Sequence, residues 1–241
     1  MLAVAEIQEL IRERSPLPPA QTEEVIRKRF ASVPGRLRFA LERWPLASSA
    51  VLDVGCSYGH CLVRFGPGST GVDNVSEHVE FCRALGLDAV QADVDSGLEP
   101  VPDGAFDFVW LSDIVEHLDA PRLVLRRLRP KLTPSGTLLL TISPLPRNRL
   151  AARILSRRGV RPFEANAHHY QFTIDTARYL VERTGYRVVS VEVPFLPDRA
   201  RRLTPGLVPI SPRVLIAARP DEDAERLAQE AERKNKPAPP E

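Results

Sequence analysis

Two acidic residues and two glycines near residue 55 have the spacing of a nucleoside-binding site. The run Ala50–His60 is an apolar strand that ends near Asp53 and leads into a tight turn at Gly55 and Gly59. Twenty residues after Asp53, the next apolar run ends at a second acid, Asp73. In open α/β sheets, such a glycine turn lets a ligand approach the backbone, and the second acid accepts hydrogen bonds from both ribose hydroxyls. The spacing therefore predicts a strand, a turn, a helix and a second strand that together bind a nucleoside.

The turn lacks the pattern of a nicotinamide cofactor site. That site requires G-x-G-x-x-G, whereas here Ser57 lies between Gly55 and Gly59. Asp53 also brings a negative charge, which would repel a pyrophosphate and suits a cationic ligand without phosphate. The run Asp53-Val-Gly-Cys-Ser-Tyr-Gly59 resembles the D-x-G-x-G-x-G signature of class I S-adenosylmethionine-dependent methyltransferases, with Ser57 in place of the middle glycine.

Three further segments extend the resemblance along the chain. Residues 88–94 form a short strand pattern that ends in an acid, and residues 106–121 resemble the family's fourth strand and the loop beside the reactive methyl group. Residues 132–142 resemble its L-x-P-G-G turn and fifth strand, with Ser135 in place of the first glycine. The resemblance implies an α/β fold: a Rossmann-like, seven-stranded, mostly parallel sheet with helices on both faces and an antiparallel edge strand.

The resemblance also implies the cofactor, S-adenosylmethionine, and the residues that bind it. Asp53 would lie near the methionine amine, Asp73 at the ribose and Asp93 at the adenine, with Asp95 as an alternative to Asp93. The expected cofactor-binding residues are Asp53, Gly55, Cys56, Ser57, Gly59, Asp73, Asn74, Asp93, Val94 and Ser112.

Histidines supply the candidate acid–base groups. His117 follows the predicted fourth strand, where the acceptor meets the methyl group in the resembling enzymes. An imidazole there could deprotonate a hydroxyl near neutral pH, or the residue simply packs at a helix start. His168, His169 and Tyr170 form a second polar cluster, in which His169 is a further candidate base. Adjacent imidazoles point apart in an extended chain, and no carboxylate or cysteine lies at ligand spacing, so we expect no metal.

A basic segment follows the predicted fifth strand. Residues 147–161 contain six arginines and no acid, with apolar residues at helical spacing. Three interpretations remain open: a lid that binds an anionic acceptor, a contact with an anionic membrane surface, and a solvated helix face. Nucleic acid is not expected, because no aromatic platform accompanies the arginines. The expected substrate-binding residues are Asp113, Arg149, Arg153, His168 and Tyr170.

The pattern divides the chain into three parts. Residues 1–48 are predicted as a helical cap, which covers either the cofactor mouth or one sheet face. Residues 49–219 are the predicted cofactor-binding domain, with 144–171 as its substrate lid. Residues 220–241 are charged and rich in proline, and we expect a flexible tail.

Prolines and capping residues in the sequence predict where the helices begin and end. The N-terminal part reads as two helices, Ala3–Arg14 and Thr22–Trp44, separated by a proline-rich stretch. Asp119 is predicted to cap the helix that follows it. Thr173 is predicted as the N-cap of a later helix, with Gly185 as its left-handed stop.

Composition fits a globular enzyme. The 241 residues carry a net charge of +2, 43% are hydrophobic and 27% are charged. The start lacks the basic region of a signal peptide, no run reaches the ~20 apolar residues of a membrane span, and the three cysteines show no C-x-x-C spacing. We therefore expect reduced thiols and a cytoplasmic location.

The predicted function is methyl transfer from S-adenosylmethionine to a small molecule, or to a cell-envelope or cofactor intermediate. The acceptor atom is expected to be oxygen, by the habit of the resembling family. Two alternatives remain: a non-catalytic partner subunit that binds the cofactor or its product, and a nicotinamide-dependent oxidoreductase, which the glycine spacing disfavours. The sequence gives no oligomeric state.

Overall fold

The computed structural model describes residues 20–145, 168–193, 213–226 and 230. The helices of eight or more residues in this part of the chain are α1 (Ala20–Ala31), α2 (Gly35–Arg43), α3 (Ser76–Ala84), α4 (Pro121–Leu128) and α5 (Ile174–Glu182). The strands are β1 (Val51–Val54), β2 (Thr70–Asp73), β3 (Ala89–Gln91), β4 (Phe106–Ser112), β5 (Leu132–Ile142), β6 (Tyr186–Glu192) and β7 (Val214–Pro220).

The seven strands form one sheet in the order β3-β2-β1-β4-β5-β7-β6. Strands β1 to β5 pair in parallel, while β7 is antiparallel to both of its neighbours, β5 and β6. This confirms the predicted Rossmann-like, mostly parallel sheet, with the antiparallel strand second from the edge. The strand order reverses between β1 and β4, and ligands of open α/β sheets bind at the carboxyl ends of the strands beside such a switch point.

The connection between β1 and β2 differs from the prediction. The helix expected after the glycine turn is absent, and a single 3-10 turn, Leu62–Arg64, occupies its place. Glycines at 55, 59, 66 and 68 and a proline at 67 disfavour a regular helix in this short segment. The sheet surface that such a helix usually covers must therefore be buried by another element.

Helices α1 and α2 supply part of that cover. Leu37 of α2 packs in one apolar cluster with Trp110 of β4 and Leu139 of β5. Phe30 of α1 lies in a second cluster, which includes Val63 of the 3-10 turn. One long helix over Thr22–Trp44 was expected, but it is broken near Pro34, because proline lacks a backbone N–H and disfavours helical geometry in the residue before it. The expected helix at residues 3–14 lies outside the described residues.

Helices α4 and α5 cover the opposite face of the sheet. Leu125 of α4 and Val181 of α5 pack against alternate residues of the central strands, such as Leu138 and Leu140. The hydroxyl of Tyr186 is fully buried and donates to the Leu125 carbonyl at 3.0 Å. Strand residues alternate between the two faces, so the sheet separates two apolar layers.

The observed helix ends can be compared with the caps that were predicted from the sequence. Thr173 caps α5 through a capping box with Thr176, and Gly185 has a φ of 87°, which confirms both predictions. The prediction for Asp119 is wrong, because the N-cap of α4 is Ala120. The Asp95 carboxylate instead accepts the amides of Asp119 and Ala120 at 3.0 and 2.9 Å, so a residue distant in sequence stabilises this helix start.

Among the described residues, no helix is both long enough and apolar enough to cross a bilayer.

Candidate active site

The turn after β1 has a left-handed backbone at three positions. Gly55, Ser57 and Gly59 have φ values of 70°, 50° and 77°. A Cβ on Gly55 would collide with the Ile114 side chain, and one on Gly59 would lie 2.9 Å from the Cys82 Sγ. Glycine at these positions is therefore required by the protein's own packing, before any ligand is considered. Ser57 adopts the same kind of geometry where the family signature has its middle glycine.

Asp73 joins this turn to the end of β2. Its Oδ2 accepts the Ser57 amide at 2.8 Å, and its Oδ1 accepts the Val75 amide at 3.0 Å and approaches the His78 Nδ1 at 2.9 Å. The carboxylate lies at the carboxyl end of the strand, as predicted for a ribose ligand. Each carboxylate oxygen can accept more than one hydrogen bond, so these contacts leave acceptor capacity for ribose hydroxyls.

Asp53 is a buried carboxyl group with an unsatisfied oxygen. The residue is 3% exposed, and its Oδ2 has no hydrogen-bond partner in the part of the chain that the structure describes. The pKa of Asp53 is raised to about 8, mainly by burial and also by the nearby Asp73, while Arg36 opposes both effects. Because buried polar atoms are almost always paired, the free oxygen indicates a site that receives a hydrogen-bond donor.

Arg36, at the start of α2, reaches the same edge of the sheet, although the sequence analysis did not single it out. Its Nε donates to the Ser112 Oγ at 2.5 Å, and its Nη1 lies 3.3 Å from the Asp113 Oδ2. Its side chain is 19% exposed. The available signal was a charged residue directly before apolar positions of a helix that packs on the sheet. Arg36 and Asp53 thus bring a cation and a carboxyl group together at the carboxyl ends of β1 and β4.

Asp113 follows β4 and has a strained backbone, with a φ of 53°. Its Oδ1 accepts the Thr141 hydroxyl at 3.1 Å, and its Oδ2 lies 3.2 Å from the Arg213 Nε as well as near Arg36. Non-glycine residues with positive φ often mark functional sites. The residue predicted to bind substrate is therefore held by groups from α2, β5 and the start of β7.

The residues predicted at the adenine lie after β3. Asp93 is exposed, and its carboxylate accepts the Asp95 amide at 3.0 Å and the Ser96 hydroxyl at 2.7 Å. The Val94 carbonyl accepts from Arg127 at 3.2 Å. Asp95 stabilises the start of α4. Of the two acids, Asp93 is therefore the better candidate for contact with the adenine.

Two other predicted cofactor residues lie at the ends of β1 and β2. The carbonyl of Asn74, directly after β2, accepts from the Gln91 side chain at 3.3 Å. Cys56 is buried, and a hydrogen bond with Cys82, followed by burial, raises the pKa of its thiol. A thiol in this state packs and does not act as a nucleophile.

The histidines separate into two groups. The rings of His117 and His168 meet edge to face, with centroids 4.6 Å apart. His169 is 57% exposed and pairs through Nδ1 with the Asp119 Oδ1 at 3.0 Å, while the Tyr170 hydroxyl donates to the Asp119 carbonyl at 3.0 Å. The structure therefore brings His117 and His168 together and turns His169 toward a surface carboxylate.

Glu116 connects the segments on this side, although no pattern in the sequence indicated a role for it. Its carbonyl accepts the amides of His169 and Tyr170 at 2.8 and 3.0 Å, and its Oε1 accepts the Ser143 amide at 2.9 Å. The residue is 2% exposed, its Oε2 has no hydrogen-bond partner among the described residues, and burial raises its pKa. Glu116 thus fixes the loops after β4 and β5 against residues 168–170.

Two predicted acceptor residues, Arg149 and Arg153, lie outside the described residues. Within the described ranges, no group of three histidine, cysteine, aspartate or glutamate side chains has an arrangement that could hold a metal ion.

Comparison with known families agrees with this geometry. The sequence model of a family described as a methyltransferase domain matches residues 25–191, which is more than half of the chain. The chain belongs to the S-adenosylmethionine-dependent methyltransferases, and it is of the class I type that its sheet defines. S-adenosylmethionine is the methyl donor of this family.

Solved structures share the fold. A putative methyltransferase in complex with the Haloferax volcanii Trm112 methyltransferase activator has a TM-score of 0.60 and 16% identity, over 90% of this chain and 98% of that chain. A methyltransferase from Archaeoglobus fulgidus has a TM-score of 0.53 and 22% identity, over 80% of this chain and 97% of that chain.

Curated relatives are more similar in sequence. A ubiquinone biosynthesis O-methyltransferase from Xanthomonas oryzae pv. oryzae is 31% identical over 154 residues, which cover 60% of this chain and 64% of the relative. The relative of the same name from Xanthomonas campestris pv. campestris is 30% identical over 148 residues, which cover 57% of this chain and 62% of the relative. The chain thus spans less than two thirds of the length of these relatives.

Proposed function

We propose that this protein transfers a methyl group from S-adenosylmethionine to a hydroxyl oxygen of a small-molecule acceptor. The observation that carries the proposal is the buried Oδ2 of Asp53, which has no hydrogen-bond partner among the described residues and whose ionisation the charge of Arg36 favours. The methionine part of the cofactor has an ammonium and a carboxylate on the same carbon. A carboxyl group and a guanidinium at one strand end complement these two charges.

The residues present fit the cofactor. In this proposal Asp53 accepts the ammonium, Arg36 binds the carboxylate, and Asp73 accepts the ribose hydroxyls. Asp93 and the backbone at Val94 border the adenine. Gly55, Ser57 and Gly59 give the turn its left-handed backbone, which places it at the carboxyl end of β1 beside Asp53 and Asp73.

The cofactor supplies an electrophilic methyl group on a positively charged sulfur. The chain has to align an acceptor oxygen with that carbon and exclude water. We assign removal of the hydroxyl proton to an imidazole nitrogen of His117, with His168 against its ring. Glu116 keeps the surrounding loops in place through Ser143 and the amides of residues 169 and 170.

Oxygen as the acceptor atom is supported by the names of the Xanthomonas relatives, which are O-methyltransferases. The acceptor would be a small molecule or a cell-envelope or cofactor intermediate. An anionic acceptor held by Arg149 and Arg153, a membrane contact through the same segment and a cytoplasmic location remain predictions. A non-catalytic role would be favoured by tight binding of S-adenosylhomocysteine without turnover of any hydroxyl acceptor.

The test is calorimetric binding of S-adenosylhomocysteine to the wild type and to Asp73→Asn. The substitution keeps the side-chain volume but removes a charged acceptor, so we expect binding to weaken by roughly 1.5–3 kcal/mol. Asp223→Asn, on an 82% exposed side chain that pairs with Arg226, is the matched control and should bind normally. Equal affinity of the wild type and Asp73→Asn would remove the ribose assignment, and a wild type that binds NAD instead would support the oxidoreductase.

A further inference from the structure

The guanidinium of Arg36 already has an anionic partner within the protein. The Asp113 Oδ2 lies 3.3 Å from the Arg36 Nη1 and 3.2 Å from the Arg213 Nε. One carboxylate oxygen is therefore shared between two arginines, one from α2 and one directly before β7. Both the Asp113 and Arg36 side chains are largely buried, which strengthens their attraction relative to a surface pair.

Hydrogen bonds fix the backbone of Asp113, so only its carboxylate can move between Arg36 and Arg213. Its amide donates to the Thr141 carbonyl at 3.2 Å and to the Thr141 Oγ1 at 3.0 Å. The same hydroxyl approaches the Asp113 Oδ1 at 3.1 Å. Thr141 and Arg213 thus provide contacts for the Asp113 carboxylate that do not involve Arg36.

We propose that Asp113 stands in for the carboxylate of the cofactor's methionine and competes with it for Arg36. The inference rests on the proposed function, in which Arg36 binds that carboxylate. Two carboxylates on one guanidinium repel each other, so binding of the cofactor shifts Asp113 toward Arg213 and Thr141. The S-adenosylhomocysteine product has the same carboxylate, so Asp113 returns to Arg36 as the product leaves, and this return favours product release.

The competition has a defined energetic consequence. A site whose binding-competent arrangement is only partly populated has an apparent Kd raised by the inverse of that population. Asp113 lowers the population in which Arg36 is available, and Arg213 raises it by attracting the same carboxylate. Asp113 and Arg213 therefore have opposite effects on cofactor affinity, although they form an ion pair with each other.

The experiment measures calorimetric Kd values for S-adenosylhomocysteine and for methylthioadenosine, which lacks both the carboxylate and the ammonium. Asp113→Asn should bind S-adenosylhomocysteine about fivefold more tightly, the ratio that corresponds to ~1 kcal/mol for an ion pair. Asparagine tolerates positive φ, so the turn is retained. Arg213→Gln should bind S-adenosylhomocysteine more weakly, and both variants should bind methylthioadenosine as the wild type does.

Asp223→Asn, remote from the site, controls for the change in net charge. Weaker or unchanged binding of S-adenosylhomocysteine by Asp113→Asn would overturn the inference, as would an equal change for methylthioadenosine. An Arg213→Gln variant that binds more tightly would also overturn it. A wild type that binds neither ligand would instead refute the proposed function, so the two failures are distinguishable.

Discussion

Cofactor binding should release a proton from Asp53. Burial, with Asp73 adding and Arg36 opposing, raises the pKa of this carboxyl to about 8 in the empty protein. At pH 6.5 the group is therefore protonated. An ammonium placed against the unpartnered Oδ2 favours the ionised form, so the pKa falls on binding and the proton leaves.

The sign and size of the effect follow from linkage. The complex holds fewer protons than the empty protein below pH 8, so affinity rises with pH and falls as the solution becomes acidic. Where Asp53 is protonated in the empty protein and ionised in the complex, each pH unit changes the Kd about tenfold. Between pH 5.5 and 7.0 the total change is roughly 30-fold, and the ligand's own ammonium stays protonated in this range.

Calorimetry with S-adenosylhomocysteine measures this directly. Titrations at pH 6.5 in two buffers with different ionisation enthalpies give the number of protons released, which should approach one. In Asp53→Asn the proton count should fall to near zero and the affinity should become nearly independent of pH. Proton release that persists in Asp53→Asn, or a pH-independent Kd in the wild type, would show that Asp53 does not receive the ammonium.

Two stability predictions concern the packing around the site. Gly55→Ala and Gly104→Ala both place a side chain at positive φ, at a cost of about 1–2 kcal/mol, but only the Cβ at 55 meets Ile114. Urea unfolding should therefore give Gly55→Ala a further loss of about 1–3 kcal/mol, and equal losses would contradict this packing. Tyr186→Phe should lose about 1 kcal/mol with its buried hydrogen bond, whereas Tyr179→Phe, at a 60% exposed ring, should change little.

The sheet and its order of elements could be predicted because their signals are local. Short apolar runs that end at Asp53 and Asp73, and the cap residues Thr173 and Gly185, each specify a neighbouring element. The resemblance to one family then gave the seven-stranded, mostly parallel sheet. Such signals depend on a few adjacent residues, and tertiary structure did not override them here.

The wrong helix cap and the two missed site residues depend on partners that are distant in the chain. Asp95 caps a helix that begins 26 residues later, so a local rule selected Asp119 instead. Arg36 acquires its role from contacts with Ser112 and Asp113, which are distant in the chain, so its place beside the apolar positions of a helix was not enough to indicate that role. Glu116 was overlooked for the same reason, since its contacts depend on how three loops meet.

The packing of α2 has a consequence for how the protein forms during synthesis. Leu37 lies in one apolar cluster with Leu215, 178 residues further along the chain. At the usual 5–20 residues per second, the ribosome needs roughly 10–35 s to make that partner. During this interval the apolar face of α2 lacks contacts with Leu215 and Ala217, and Asp113 lacks its contact with Arg213. The amino-terminal helices, although synthesised first, are therefore completed last, and a nascent chain that ends before β7 should not bind the cofactor.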